Sequence, residues 1–186
     1  RITGEAEYIT LGLRIPDYAK EYQIFRNGTE MKYQTEKGYA YITGDFRGDT
    51  LEVQFQSAPR FIRANPAVRA DEGKVCMMNG PLVYALEEID NGANLSGIYL
   101  DTSVRPRLSW EPELFGGTEV LLADGYRIVS DTWSAEELYK EEKPKFRTIK
   151  VRAIPYACWN NRGQGEMAVW VKEWVTPEVC CGGDAK

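Results

Sequence analysis

The stretch Ile9-Thr10-Leu11-Gly12-Leu13-Arg14-Ile15 carries an apolar residue at every odd position and a polar or small residue between them. Because side chains of a strand alternate between its two faces, this period of two predicts a strand with one face on a core and the other in water. Pro16 lacks the N–H that a sheet needs and ends the pattern. The rest of the chain can be interpreted by the same criterion.

The period of two recurs along most of the sequence. Further strands are predicted at residues 22–26, 31–33, 38–42, 51–55, 60–64, 98–100, 107–110, 120–123, 126–129, 147–153 and 167–171. Asn27-Gly28 is the strongest hairpin signal, since both residues tolerate a positive φ, and the segment 31–33 would be the return strand. The runs 74–78 and 82–86 are apolar throughout, which fits either strands buried on both faces or a short helix. Ser134 with Glu137 forms a weak capping box that indicates one or two helical turns.

About a dozen short strands with turn signals between them, and almost no helical periodicity, predict an all-β protein. Each of these strands has one apolar face that must meet another sheet. A sandwich is the usual solution, and two stacked sandwiches or one large one would accommodate this number of strands.

The chain has 186 residues, no histidine, a net charge of −5 and a pI near 5.0. The lack of histidine excludes a Ser-His-Asp or Cys-His catalytic pair and an HExxH zinc site. The acidity argues against a nucleic-acid partner, because proteins that bind phosphates usually carry a basic face. No apolar run is long enough to span a membrane and Arg1 to Glu5 have no signal-peptide core, so we expect no membrane partner and the compartment stays open.

A glycosidase without histidine would depend on a pair of carboxylates that face one bond. Glu87 with Glu88, and Glu111 with Glu113, are such pairs by sequence. The chain has 28 acidic residues, however, so pairs arise by chance and a solvated surface explains them better.

The cysteines do not form a metal-binding pattern. Cys76 and Cys158 lie in apolar, strand-like surroundings, and Cys180 and Cys181 are adjacent near the end of the chain. Two adjacent thiolates do not complete a tetrahedral zinc site. We predict no metal and no cofactor in this chain.

An aromatic and polar segment after the predicted strand 147–153 is the candidate binding site. Sugars stack the apolar faces of their rings on flat aromatic side chains beside hydrogen-bonding groups. The candidate carbohydrate-binding residues are Tyr156, Trp159, Asn160, Asn161 and Arg162. The alternative is that the aromatic residues fill the edge of a core while the polar residues shape a turn, which is the commoner use of polar loop residues.

Three motifs are more specific than the strand pattern. The first is Leu13-Arg14-Ile15-Pro16, followed by Asn27-Gly28 and by Gly-Tyr-Ala-Tyr-Ile at 38–42. The second is Arg63-Ala64-Asn65-Pro66 with residues 73–75 and 79–84, and the third is the segment 153–167. In this order and spacing they resemble the C-terminal part of glycoside hydrolase family 127, the β-L-arabinofuranosidase family.

The resemblance implies a protein in which an (α/α)6 helical barrel precedes β-sandwich domains and holds the active site. The nucleophile of that family is a zinc-bound cysteine, with a glutamate acid/base, and both lie in the helical barrel. We therefore expect zinc only in a catalytic domain that would precede residue 1, and no catalytic residue in this chain. The family's adjacent cysteines precede the sandwiches and are followed by Pro-Pro-Asn, so Cys180-Cys181 is not equated with them.

With the resemblance we expect two β-sandwich domains of the jelly-roll kind, the second inserted in the first. Residues 1–71 and 166–176 would form the first sandwich, residues 72–165 the second, and residues 177–186 a flexible tail. Polar breaks at Asp71-Glu72-Gly73 and at 162–165 fit this division, because a crossover there buries little backbone.

These inferences give a hypothesis of function. The chain would be a non-catalytic accessory region of a family-127-like glycoside hydrolase that acts on arabinofuranosides, inactive alone, with the N-terminal helical-barrel domain as its partner. One alternative is a carbohydrate-binding module that contacts an oligosaccharide through Trp159, Tyr156 and Arg162, and another is an independent enzyme. An exposed Trp159 beside Arg162 in a groove would favour sugar binding, whereas a buried one would exclude it.

Overall fold

The computed structural model describes residues 8–130, 133–134 and 136–175. The chain divides into two compact units between Ala58 and Pro59. The described residues form strands, one single-turn α-helix and three 3-10 turns, so the all-β prediction is confirmed. Within these residues no helix has the length and apolarity to cross a membrane.

The described residues of the first unit form six strands. They are β1 (Ile9–Arg14), β2 (Tyr22–Arg26), β3 (Thr29–Glu30), β4 (Gln34–Glu36), β5 (Tyr39–Gly44) and β6 (Leu51–Phe55). They form two antiparallel three-stranded sheets, ordered β1-β5-β4 and β3-β2-β6. Ile9, Leu11 and Leu13 pack against the core of this unit, as the alternation in β1 predicts. The buried residues of that core are Ile15, Ala19, Ile24, Ala40, Ile42 and Phe46.

The predicted hairpin at Asn27-Gly28 is confirmed, with φ values of 49° and 80° and Arg26 paired with Thr29. The return strand is β3, at Thr29–Glu30, so the return strand predicted at 31–33 is wrong. The N–H of Met31 still donates to the carbonyl of Ile24 at 2.8 Å. After that bond the chain leaves this sheet and forms β4 in the other one.

In the part of the second unit that the structure describes there are nine strands and the single-turn helix. They are β7 (Arg60–Arg63), β8 (Lys74–Asn79), β9 (Leu82–Glu87), α1 (Glu88–Asn91), β10 (Ile98–Asp101), β11 (Arg107–Glu111), β12 (Thr118–Ile128), β13 (Phe146–Pro155), β14 (Met167–Ala168) and β15 (Val171–Trp174). Six of them pair in a ring, β8-β9-β13-β12-β10-β15, which closes because β15 pairs with β8. The pair β10–β15 is parallel and the other five pairs of the ring are antiparallel.

The prediction of two jelly-roll sandwiches is therefore wrong. Alternation shows only that each strand has one buried face, and a closed barrel buries those faces as completely as two stacked sheets do. Closure has the further advantage that the ring strands leave no free edge. β7, β11 and β14 lie outside the ring and pair with β8, β12 and β9.

The prediction that one domain is inserted in the other is also wrong. It placed residues 166–176 with the first unit. In the structure Val171 pairs with Val75 in β8, and Tyr99 in β10 pairs with Lys172. The last described strand thus completes the barrel of the second unit.

Several element boundaries differ from the predicted ones. The apolar runs 74–78 and 82–86 are strands, which settles the strand-or-helix question. The predicted strands 120–123 and 126–129 are one strand, β12. The predicted strand 167–171 is instead β14 and the start of β15. The described residues of the segment 134–142 contain no helix.

Candidate functional site

The aromatic pair of the predicted site lies on one 3-10 turn. β13 ends at Pro155, and the turn Tyr156–Cys158 follows directly, closed by a bond from the N–H of Trp159 to the carbonyl of Tyr156. The rings of Tyr156 and Trp159 are stacked, with centroids 6.4 Å apart and planes 15° apart. Their exposed fractions are 47% and 39%, so both rings are accessible to a ligand or partner.

Arg162 is held by two carboxylates. Its Nε donates to Glu87 Oε2 at 3.0 Å and its Nη1 to Asp90 Oδ1 at 2.9 Å. Its Nη2 also bonds both carboxylates. The side chains are 17%, 7% and 9% exposed for Arg162, Glu87 and Asp90. The guanidinium therefore serves this buried ion pair rather than an exposed binding surface.

A second arginine extends the ionic network. Asp90 also pairs with Arg152, whose Nε donates to Glu111 Oε1 at 3.0 Å. The hydrogen bond to Asp90 raises the pKa of Arg162 well above its ordinary value, burial opposes this rise, and Glu87 adds to it. Both guanidinium groups stay charged, and these two cations contact three carboxylates, those of Glu87, Asp90 and Glu111. This Arg–acid network joins the ends of β9, β11 and β13 through α1.

The two asparagines shape the loop that carries Arg162. Asn160 has φ 65°, a left-handed conformation that asparagine tolerates better than most residues, and its N–H donates to Glu87 Oε1 at 3.0 Å. Asn161 Nδ2 donates to the carbonyl of Cys158 at 2.9 Å. The backbone of Asn160 and the side chain of Asn161 thus both shape this turn.

The far end of the same loop is fastened by two glutamates. The N–H of Glu166 donates to Glu88 Oε2 at 2.8 Å, and the N–H of Glu88 donates to the carbonyl of Glu166 at 3.0 Å. The Glu166 carboxylate in turn accepts the N–H groups of Leu95 and Asn94 at 2.7 and 3.3 Å. The segment 160–166 is thereby fixed at both ends to the surface of the barrel.

Sequence reasoning missed most of this network. Glu87 and Glu88 were considered only as a candidate acid pair, and Asp90, Arg152 and Glu166 were not singled out. One usable signal was present, because Glu87 ends an otherwise apolar strand, and a carboxylate at a buried strand end needs a cation.

The described residues do not fit a zinc site. They contain no group of three or more His, Cys, Asp or Glu side chains that could hold a metal ion. Cys76 is buried in β8, where burial raises the pKa of its thiol, and Cys158 is half-buried. Cys180 and Cys181, with the predicted tail 177–186, lie outside the described residues. No chemical step through zinc is therefore assigned to this chain.

Comparison with known proteins gives consistent matches. Residues 59–172 match the profile of the Glycoside hydrolase family 127 C-terminal domain, and this range begins at the first residue of the second unit. The Non-reducing end beta-L-arabinofuranosidase of Bifidobacterium longum subsp. longum is 32% identical over 169 residues, which cover 87% of this chain and 26% of that protein.

Solved structures agree with the sequence matches. A family 127 β-L-arabinofuranosidase from Geobacillus stearothermophilus T6 superposes with a TM-score of 0.83 and 39% identity, over 90% of this chain and 27% of that one. A second family 127 β-arabinofuranosidase gives 0.78 and 30%, over 93% of this chain and 29% of that one. The chain thus spans about a quarter of the length of these relatives.

Proposed function

Because this chain belongs to glycoside hydrolase family 127 and carries the C-terminal domain of that family, we propose that it is a non-catalytic accessory region of a β-L-arabinofuranosidase. In this proposal the reaction takes place in a separate helical-barrel domain of the same protein. The two β-units described above support that domain and keep it in a stable, soluble form.

The proposal rests on the small fraction of its relatives' length that this chain matches. The aligned part is 26% of the curated relative and 27% of the Geobacillus structure. About three quarters of an arabinofuranosidase of this family is therefore outside the match, which is ample for a catalytic domain of ordinary size.

The arrangement of acids supports a structural role. A glycosidase needs one carboxylate as an acid and a second as a base or nucleophile, both directed at one bond. Here Glu87 and Glu111 are bound to arginines, and Glu88 accepts a backbone N–H. Three of the four acids that the sequence offered for catalysis thus hold loops and strand ends in place.

Exposed aromatic side chains on the second unit provide a surface for the supported domain. Trp110, on the outer strand β11, is 63% exposed, and Tyr156 and Trp159 are exposed on the turn after β13. Large exposed rings commonly mark contacts with another protein region or with a ligand. In the proposal, part of this apolar surface is covered by the catalytic domain.

The first test is the activity of the chain alone. Incubated with zinc, a thiol reductant and an aryl β-L-arabinofuranoside, the 186-residue chain is expected to release no more aryl alcohol than a blank. The Bifidobacterium relative, which is named as a beta-L-arabinofuranosidase, is assayed in parallel as the positive control.

Turnover by this chain above the blank would contradict the non-catalytic assignment. The supporting role has its own readout in the relative. Removing from it the 169 residues aligned with this chain should lower its unfolding temperature and its soluble yield. An unchanged unfolding temperature would count against the supporting role.

The stacked rings of Tyr156 and Trp159 favour a second candidate function, direct contact with an oligosaccharide. Replacement of Trp159 by alanine would then weaken binding of arabino-oligosaccharides about tenfold, as loss of one stacked ring does. Isothermal titration calorimetry measures this, with Trp110→Ala as the matched control for an exposed tryptophan outside the turn. Equal affinities for the two variants would exclude this candidate.

A further inference from the structure

Two tyrosine rings lie on the outer face of the sheet β1-β5-β4 in the first unit. Tyr39 and Tyr41 are two positions apart on β5, so their side chains emerge on the same face. Their ring centroids are 6.1 Å apart, the planes are tilted by 31°, and the exposed fractions are 40% and 38%. The buried residues Ala40 and Ile42 alternate with them and anchor the strand in the core.

A glycine leaves room for these rings to lie against the sheet. Gly12 on β1 pairs with Tyr41, and a Cβ placed on it would lie 3.2 Å from Tyr41 Cε1 and 3.7 Å from Tyr39 Cδ1. Both rings therefore lean over the space that a side chain at position 12 would fill. A ring lying over a strand backbone has one face covered by the protein and leaves the other face to solvent.

Arg14 lies next to the Tyr39 ring and bonds the adjacent backbone. Its Nη1 donates to the carbonyls of Ile15 and Gly38 at 3.1 and 3.2 Å, and its Cζ lies 5.8 Å from the centroid of the Tyr39 ring. Gly38 admits the guanidinium, because a Cβ there would lie 2.5 Å from Nη1. The rings are thus positioned before any ligand arrives, which reduces the entropy lost on binding.

A groove of about 570 Å³ runs beside Tyr41. Its residues are Thr10, Met31, Lys32, Tyr33, Gln34, Glu36, Tyr41, Ile42 and Thr43. They include one lysine and one glutamate, so the lining carries no net charge. The hydroxyls of Thr10 and Thr43 bond each other at 2.8 Å and, with the amide of Gln34, offer neutral donors and acceptors next to the ring.

We propose that this tyrosine surface, formed by Tyr39, Tyr41 and the adjoining groove, binds a neutral saccharide chain. Sugar rings present apolar C–H faces and a rim of hydroxyls, which matches exposed aromatic rings bordered by hydrogen-bonding groups, the uncharged Thr10, Thr43 and Gln34 among them. The site lies on the first unit, outside the range matched by the family's C-terminal domain. The choice of arabinose-containing probes rests on the proposed function, whereas the surface itself does not.

The test measures binding of arabinan and linear arabino-oligosaccharides to the whole 186-residue chain, by affinity electrophoresis and calorimetry, with dextran as the comparison polymer. Tyr41→Ala is expected to weaken binding about tenfold, the usual size for losing one stacked ring. Tyr41→Phe keeps the ring face and should bind within about threefold of the wild type. Tyr139→Ala, at a tyrosine 90% exposed in the second unit, is the matched control and should bind normally.

Gly12→Ala provides a variant that keeps both tyrosines. Its new methyl group would press on the Tyr41 ring and lift it, so binding should weaken several-fold while the circular dichroism spectrum stays unchanged. The proposal is overturned if the wild type binds none of the saccharides at millimolar concentration, or if Tyr41→Ala binds as well as Tyr139→Ala. Loss of binding only in Trp159→Ala also overturns it. These results are separate from hydrolysis, so the accessory role and the binding surface can fail independently.

Discussion

Replacing Arg162 by methionine is expected to lower the free energy of unfolding of the second unit by about 3–5 kcal/mol. The substitution leaves the Glu87 and Asp90 carboxylates, 7% and 9% exposed, without the cation that both of them bind. Arg152 still pairs with Asp90, so the larger part of the cost arises at Glu87. Urea denaturation followed by tryptophan fluorescence measures this change in the second unit, because all five tryptophans follow residue 109.

An exposed ion pair in the same unit provides the control. Lys150 and Asp124 pair across β12 and β13 with side chains 73% and 39% exposed, so Lys150→Met should cost less than about 1 kcal/mol. Adding Glu87→Gln to Arg162→Met should recover part of the lost stability, because a neutral amide is easier to bury than an unpaired carboxylate. If Arg162→Met cost no more than Lys150→Met, the network would not stabilise the loop.

The sequence was sufficient to predict that strands exist, but it did not predict how they pair. Alternation located β1 and β6 closely, since each buries one face, and Asn27-Gly28 marked its turn because few residues adopt positive φ. The other two-residue hairpin turn in the first unit, Lys37-Gly38, with φ values of 48° and 78°, lacks the asparagine that made the first one visible.

The barrel depends on a contact that has no local signal. Asp124-Gly125 separates the strands predicted at 120–123 and 126–129, which are one strand, β12, in the structure. In the structure a Cβ on Gly125 would lie 2.5 Å from the carbonyl oxygen of Tyr99. Gly125 is therefore needed within the continuous strand β12, at the point where β10 approaches it closely. This role becomes apparent only when the positions of both strands are known.

The candidate site shows the same limit. The composition of the segment 156–162 indicated an aromatic and polar segment after β13, whereas the stacking and exposure of its rings are known only from the structure. The partners of Arg162 lie 72 and 75 residues earlier in the chain, on α1 and at the end of β9. No spacing rule connects such positions, so the ionic role of Arg162 required the fold.

Replacing Phe46 by alanine is expected to destabilise the first unit by about 3–5 kcal/mol, the range found when a buried phenylalanine ring is removed. Phe46 follows β5, and its side chain is 1% exposed and belongs to the core. A Cβ on Gly44 would lie 3.3 Å from the Phe46 ring, so the two residues are fitted to each other. The guanidinium of Arg26 also lies over this ring, 5.0 Å from its centroid.

Phe55 is the matched control, because it is the same residue type in the same unit but is 40% exposed. Phe55→Ala should cost about 1 kcal/mol or less, since little buried volume is lost. Hydrogen exchange of the β5 amides reports directly on this unit, and we expect much faster exchange in Phe46→Ala than in Phe55→Ala. Similar exchange in the two variants would show that the ring can be removed without opening the core, and Phe46 would then not hold the two sheets of this unit together.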